Sequence, residues 1–168
     1  MSLSVGRLER VAVVPRSLFA RALLAHSIYE HQQGHARRID LWLRPESFTV
    51  QDDGRGMRLD REGYVEGLMG LLVSRPGVVQ LHGVGLSLVA ASTPRLEVES
   101  RRDGSLWKQS FAWGVADGPP IWASAGPETG TRISFFGLAG SSEVELAEIS
   151  AQIERWRQWN PALTIVVH

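Results

Sequence analysis

Val50-Gln51-Asp52-Asp53-Gly54-Arg55-Gly56-Met57 carries the densest signal in this chain. A run with strand character, 48–51, ends in two acids, and a Gly-Arg-Gly turn follows at once. Two glycines flanking one residue let the backbone turn sharply or approach a ligand closely, because neither carries a Cβ. An acid at the mouth of such a turn can accept a hydrogen bond from an amino group held in a pocket. It can equally cap its own turn. A second glycine element, Leu81-His82-Gly83-Val84-Gly85, runs into the apolar stretch 86–91. A glycine turn entering a helix offers unpaired N–H groups and a positive dipole end, which suit phosphate. The bland counterpart is close helix packing. In this order, the pair reads as one element for a base and another for phosphates.

Around these elements the chain alternates helix and strand signals. Residues 10–14 form a short strand candidate ended by Pro15. A helix is predicted over 16–33, with Ser17 as its cap, Leu18, Ala22, Ala25 and Tyr29 as its apolar stripe and Gly34 as its stop. Strands at 39–43 and 48–50 flank the turn Arg44-Pro45-Glu46-Ser47. A helix over 60–73 is broken by Ser74-Arg75-Pro76-Gly77, and a buried helix is predicted over 83–92. Strands at 96–99 and 106–113 are joined by Arg102-Asp103-Gly104-Ser105, a hairpin signal. Further strands are predicted at 121–123, 131–136 and 163–167. A long helix over 142–159 has Ser142 and Glu145 in capping-box arrangement. Helices mixed with hairpins argue an α/β two-layer sandwich with a mixed, largely antiparallel sheet.

The chain has 168 residues, which predicts one domain, 1–168, large enough to bury a core. Charged residues make up 21% and balance to +0, so no bulk charge argues for nucleic acid or membrane. Lys108 is the single lysine, so a phosphate site must rely on backbone amides and arginine. No cysteine is present, which excludes disulfides and thiol chemistry and fits a reducing compartment. No apolar run reaches the roughly 18 residues of a membrane span. The first residues lack the apolar segment of a signal peptide. A cytoplasmic protein is the expectation.

The two glycine elements resemble the GHKL ATPase superfamily, whose members include gyrase B, MutL-type repair proteins, chaperone ATPases and histidine kinases. Both runs are most similar to gyrase B. Gly130-Thr131-Arg132-Ile133-Ser134-Phe135 is similar to the Gly-Thr strand that closes the family's adenine pocket. The segment 159–165 resembles the one after the domain's last long helix, and 16–43 resembles the MutL branch. The resemblance spans nearly the whole chain and implies the Bergerat fold, with helices on one face of the sheet. It implies Asp52 for the base, Gly54, Arg55, Gly56 and Met57 for the pocket floor, Thr131 behind adenine, and Leu81, His82, Gly83, Val84 and Gly85 for phosphate. ATP or ADP is the implied ligand.

The chain departs from the family at its first long helix. Active members carry a glutamate there as general base and, four residues on, an asparagine that holds Mg²⁺. Positions four apart share a helix face. Anchored on Gly34-His35 and 39–56 without a gap, these positions fall on Ala22 and His26. Alanine takes no proton, and Mg²⁺ prefers hard oxygen ligands. Losing a general base costs about 10²–10⁴-fold. No catalytic residue is therefore assigned, and His26 and Glu30 are the weak candidates. Glu30 is expected to pair with Arg55, as an acid at this place does in gyrase-like members. The lid segment 68–80 is short, with Val78-Val79-Gln80 where glycines would precede Leu81. The transducer domain that family members carry after this segment, and the lysine it supplies, are expected to be missing.

His26, His31 and His35 do not form a clean metal signature, and no metal site is assigned. Trp107, Trp113, Trp156 and Trp159 read as core or interface. Arg37-Arg38 and Arg101-Arg102 read as solvated element ends. The expected function is adenine-nucleotide binding with weak or absent hydrolysis, Mg²⁺ use being doubtful. The alternative is a pseudo-ATPase that serves as a scaffold or dimerisation module and binds no nucleotide. An active ATPase using His26 or Glu30 as base ranks third. Partners would be the nucleotide and a protein or second copy of the chain, with nucleic acid reached only through other chains or domains.

Overall fold

The computed structural model describes residues 16–59, 89–137 and 143–168. The predicted strand 10–14, the helix over 60–73 with its breaker, the lid, the second glycine element and Ser142 lie outside them. Of the helix predicted over 83–92, residues 89–92 are described and are helical.

Alternation of apolar and polar residues sets the sheet. In β1 (Arg38–Arg44), Ile39 and Leu41 are buried, whereas Arg38 is exposed and Asp40 and Trp42 are half-buried. In β2 (Ser47–Asp52), Phe48, Val50 and Asp52 share the same face as Ile39 and Leu41. The two pair antiparallel, Leu41 opposite Val50. β3 (Arg95–Arg102) and β4 (Ser105–Ala112) form the predicted hairpin. Its two turn residues, Asp103 and Gly104, have φ of 52° and 75°, as a two-residue primed turn requires. β5 (Val115–Ala116) and β6 (Ile121–Ser124) both pair with β4. β7 (Gly130–Phe136) lies between β3 and β2, antiparallel to both. β8 (Thr164–Val167) runs parallel to β1 at the other edge. The spatial order is β5-β4-β3-β7-β2-β1-β8, a mixed and largely antiparallel sheet.

Helices α1 (Arg16–Gln32) and α2 (Glu143–Trp159) cover one face of this sheet. The core between the layers joins Phe19, Leu23, Leu24 and Ile28 of α1 and Ile149 and Ile153 of α2 to the sheet's inner residues. Phe135 of β7 is its centre. It meets Phe19 edge-on at 5.4 Å and Phe48 at 5.5 Å between ring centroids. Such aromatic pairs add roughly 0.5–1.5 kcal/mol beyond area burial.

Two expectations for α1 are corrected. The stripe Leu18, Ala22, Ala25 and Tyr29 is not the core face: Leu18 and Tyr29 are more than 40% exposed, and Ala25 is exposed. The helix carries apolar residues on two sides, and the bulkier set, Phe19, Leu23, Leu24 and Ile28, faces the sheet. Ser17 is no cap, because Arg16 is already helical and Ser17 is buried within the first turn. The other end matches: Gly34, at φ 79°, donates to His31 O at 2.8 Å and stops the helix. Trp107 is core, Trp156 packs partly against it, and Trp113 and Trp159 are exposed.

Candidate functional site

The site forms where β2 ends beneath α1. One row of side chains crosses the inner face there, with Ile39, Asp52, Thr131, Ser100 and Trp107 side by side in register. Small polar residues, Asp52, Thr131 and Ser100, occupy the middle of this row and are buried.

The two acids split. Asp53 is exposed, and its carboxylate accepts from the backbone N–H groups of Arg37 and Arg38 at 2.7 and 2.9 Å, which ties the turn to the start of β1. Asp52 points inward and is 4% exposed. Its Oδ1 accepts from Gly54 N at 3.0 Å and Thr131 N at 3.2 Å, and its Oδ2 accepts from Ser27 Oγ at 2.6 Å. Burial pushes the Asp52 carboxyl above the usual range, against the pull of His26 and of these three donors.

The Gly-Arg-Gly turn is shaped by close approach within the protein. A Cβ on Gly54 would lie 3.0 Å from Asp52 Oδ1 and 3.1 Å from Glu30 Oε2. Gly56 has φ 79°, and its Cβ would lie 2.3 Å from Arg101 O. Its carbonyl accepts from Arg102 Nη1 at 2.8 Å, and the Met57 carbonyl accepts from Ser100 Oγ at 3.2 Å. The turn is thereby fastened to β3. Between the glycines, Arg55 pairs with Glu30 as expected: Nη2 donates to Oε1 at 2.8 Å, and Nε and the backbone N–H donate to Oε2 at 3.1 and 3.2 Å. Burial alone would raise the Glu30 carboxyl, but the bonds from Arg55 hold it below the usual range.

Thr131 and His26 complete the site. Thr131 is 2% exposed. Its Oγ1 and the Nε2 of His26 are buried polar atoms without a hydrogen-bond partner among the described residues. A positive charge on His26 would favour the ionised forms of both Asp52 and Glu30, which places the imidazole near both acids. Ala22 lies one turn earlier on the same helix, partly buried against the core. Sequence reasoning misses Ser27. A signal for it exists once the true core stripe is read: Ser27 and Glu30 are polar residues set in an apolar face, and such groups need partners. Leu81, His82, Gly83, Val84 and Gly85 lie outside the described residues.

Among the described residues no group of three or more His, Asp or Glu side chains is placed to hold a metal ion. His31 instead uses Nδ1 on the carbonyl of Ala36, 2.8 Å away, at the end of α1. The opposite face of the sheet carries a separate open groove of ≈ 620 Å³, bordered by Trp42, Arg44, Thr49, Arg132, Glu97 and Lys108. It lies across the sheet from Asp52 and takes no part in this site. No helix among the described residues is long and apolar enough to cross a membrane.

No family model matches the chain. Over 160 residues it is 33% identical to the B subunit of DNA gyrase from Micrococcus luteus, an alignment covering 84% of this chain and 22% of that protein. Over 130 residues it is 35% identical to the B subunit of DNA topoisomerase 4 from Escherichia coli strain K12, covering 68% of this chain and 21% of that one. The chain thus spans about a fifth of the length of these curated relatives. Among solved structures it is similar to the 43K ATPase domain of Thermus thermophilus gyrase B in complex with an aminocoumarin, with a TM-score of 0.73 and 27% identity. That similarity covers 89% of this chain and 42% of the other.

Proposed function

Since the chain belongs to the GHKL ATPase superfamily, we propose that it binds an adenine nucleotide in the pocket beside Asp52 and hydrolyses ATP weakly or not at all. One observation carries the reading. A buried carboxylate sits beside two buried polar atoms, Thr131 Oγ1 and His26 Nε2, that lack partners among the described residues. Buried polar groups are nearly always satisfied, so unpaired ones around an acceptor point to a ligand. Asp52 takes the base, Thr131 lies behind it, and Gly54, Arg55, Gly56 and Met57 form the floor. Leu81, His82, Gly83, Val84 and Gly85 are assigned to phosphate on sequence grounds.

Weak turnover follows from the helix face that looks onto the site. Ala22 offers a methyl group and His26 an imidazole where a proton acceptor and a hard oxygen ligand are needed. This donor set does not fit Mg²⁺, and no step is derived through the metal. Glu30 is a poor base, because Arg55 occupies both of its oxygens and holds its proton affinity down. ADP suits such a site as well as ATP does.

A second reading is favoured by one feature. Asp52 already holds three internal donors and closes its turn without a ligand. On that reading the domain is a scaffold or dimerisation module. A thermal-shift titration with ADP, ATP and a non-hydrolysable analogue, each with and without Mg²⁺, separates the two. Ligand at about 100-fold over its Kd adds about 2.7 kcal/mol, or roughly 5–10 °C for a domain of this size. A shift of that size, equal with and without Mg²⁺, is expected. No shift with any nucleotide favours the scaffold.

A further inference from the structure

The strand β6 lies on the rim of the sheet, paired to β4. All four of its residues are exposed, Ile121 at 74% and Trp122 at 59%. Strand rims are usually blunted by charge, proline or a bulge, because an open row of N–H and C=O groups templates further pairing. β6 contains neither charge nor proline, and its register with β4 runs without a bulge. Residues 118–127 carry no charged side chain, and Pro119, Pro120 and Pro127 flank the strand without interrupting it. The direction of its outer backbone groups follows from the ladder to β4. Ala125 N donates to Gly104 O at 3.0 Å. Antiparallel bonding alternates along a strand, so Ala123 and Ile121 also turn their N–H and C=O groups towards β4. Trp122 and Ser124 turn theirs outwards.

We propose that β6 pairs antiparallel with β6 of a second copy of this chain, about a twofold axis at Ala123. Trp122 then faces the partner's Ser124, and Ser124 faces the partner's Trp122. Each of these pairs exchanges two main-chain hydrogen bonds, which uses every outward group of the strand. Ala123 meets its own copy on the axis, in the kind of pair where Cα atoms approach to about 4.5 Å, and a methyl group fits there. The largest side chain of the strand thus lies opposite a small one. The neighbouring register, with Trp122 against its own copy, sets Ser124 opposite Pro120, which has no N–H to give. Beside a twofold axis a residue lies near its own copy, so a charge there would face a like charge. Residues 118–127 bring none, whereas a charged partner strand would find nothing to pair with. Such an interface is isologous and closed. It joins the two sheets into one, with α1 and α2 of both copies on the same face, whether or not the pocket at Asp52 takes a nucleotide.

A four-residue strand makes a seam at the weak, transient end of interfaces. Sedimentation equilibrium of the full chain over about 1 µM to 1 mM should therefore show monomer and dimer in exchange. Ala123→Lys and Ala123→Glu should each weaken the dimer by about fivefold or more, because like charges directly opposite repel. An equimolar mixture of the two should restore it, since Lys then faces Glu. Ser124→Pro removes an outward N–H and spares the bonds to β4, and should weaken the dimer by about tenfold or more. A wild type that stays monomeric at about 1 mM overturns the inference and leaves nucleotide binding untouched. A dimer that is equally tight in Ala123→Lys and Ser124→Pro overturns it too, because the contact then lies elsewhere. So does a mixture no tighter than either charged variant alone. If Ser124→Pro fails to fold by circular dichroism, the mixture decides, since Ala123 is exposed.

Discussion

Gly56→Ala tests how the Gly54-Arg55-Gly56 turn is held against β3. Gly56 and Gly34 share a φ of 79°, but their surroundings differ. A Cβ on Gly34 meets nothing within 4 Å, whereas one on Gly56 would lie 2.3 Å from Arg101 O and 2.9 Å from Ser100 Oγ. The left-handed conformation costs an alanine about 1–2 kcal/mol at either position. Gly34→Ala should therefore cost about 1 kcal/mol, since alanine also restricts the unfolded chain. At Gly56 the clash is with a backbone carbonyl inside a paired strand, which cannot swing aside as a side chain can. Overpacking of this kind adds about 1–3 kcal/mol. The total is about 2–5 kcal/mol, a large part of the roughly 5–15 kcal/mol that holds a domain folded.

Urea denaturation followed by circular dichroism reads both variants on one scale, with an unchanged slope as the sign that only stability moved. The melting temperature should fall by roughly 4–20 °C for Gly56→Ala and by a few degrees for Gly34→Ala. The Gly56 variant should also lose any nucleotide-induced shift, because the turn can relieve the clash only by pulling Arg55 away from Glu30. Equal losses for Gly56→Ala and Gly34→Ala would refute the reasoning, since the turn would then not rest on β3.

Asp52→Asn should keep or raise stability at neutral pH while abolishing ADP binding. Burial raises the Asp52 carboxyl, so its contribution to stability is present below about pH 3.9 and is lost as pH rises through the folded value. The amide has no charge to bury, and chemical denaturation at pH 4 and pH 7 should show its advantage growing with pH. Glu30→Gln should act in the opposite sense. The Glu30 carboxyl is held down in the fold, so its contribution is full above about pH 4.3 and fades as pH falls through the folded value. The loss in the variant should be about 1 kcal/mol or less at pH 7, because Arg55 is 44% exposed, and near zero in acid. Phe135→Ala removes the ring between Phe19 and Phe48 and should cost about 3–5 kcal/mol in the same assay.

A feature is legible in the sequence where local chemistry alone sets it. The Asp103-Gly104 turn is readable because two consecutive left-handed residues permit few other structures. The Glu30–Arg55 pair is readable through the family resemblance, which ties the helix to the turn. The core face of α1 is not readable, because Leu18, Ala22, Ala25 and Tyr29 keep the helical period as well as Phe19, Leu23, Leu24 and Ile28 do. Only the sheet, by burying the bulkier set, distinguishes them. That choice of face also hides Ser27. On the wrong stripe it is one hydroxyl among many, and on the right one it is a buried polar group that must find a partner. The partner is Asp52, whose inward direction is itself set by the two-residue period of β2, with Phe48, Val50 and Asp52 on one face. The chemistry at the end of β2 is thus a consequence of packing. The same register that buries Val50 under α1 brings Asp52 beneath Ser27 and beside Thr131, so a shift of β2 by one residue would expose Asp52 and turn Asp53 inward in its place.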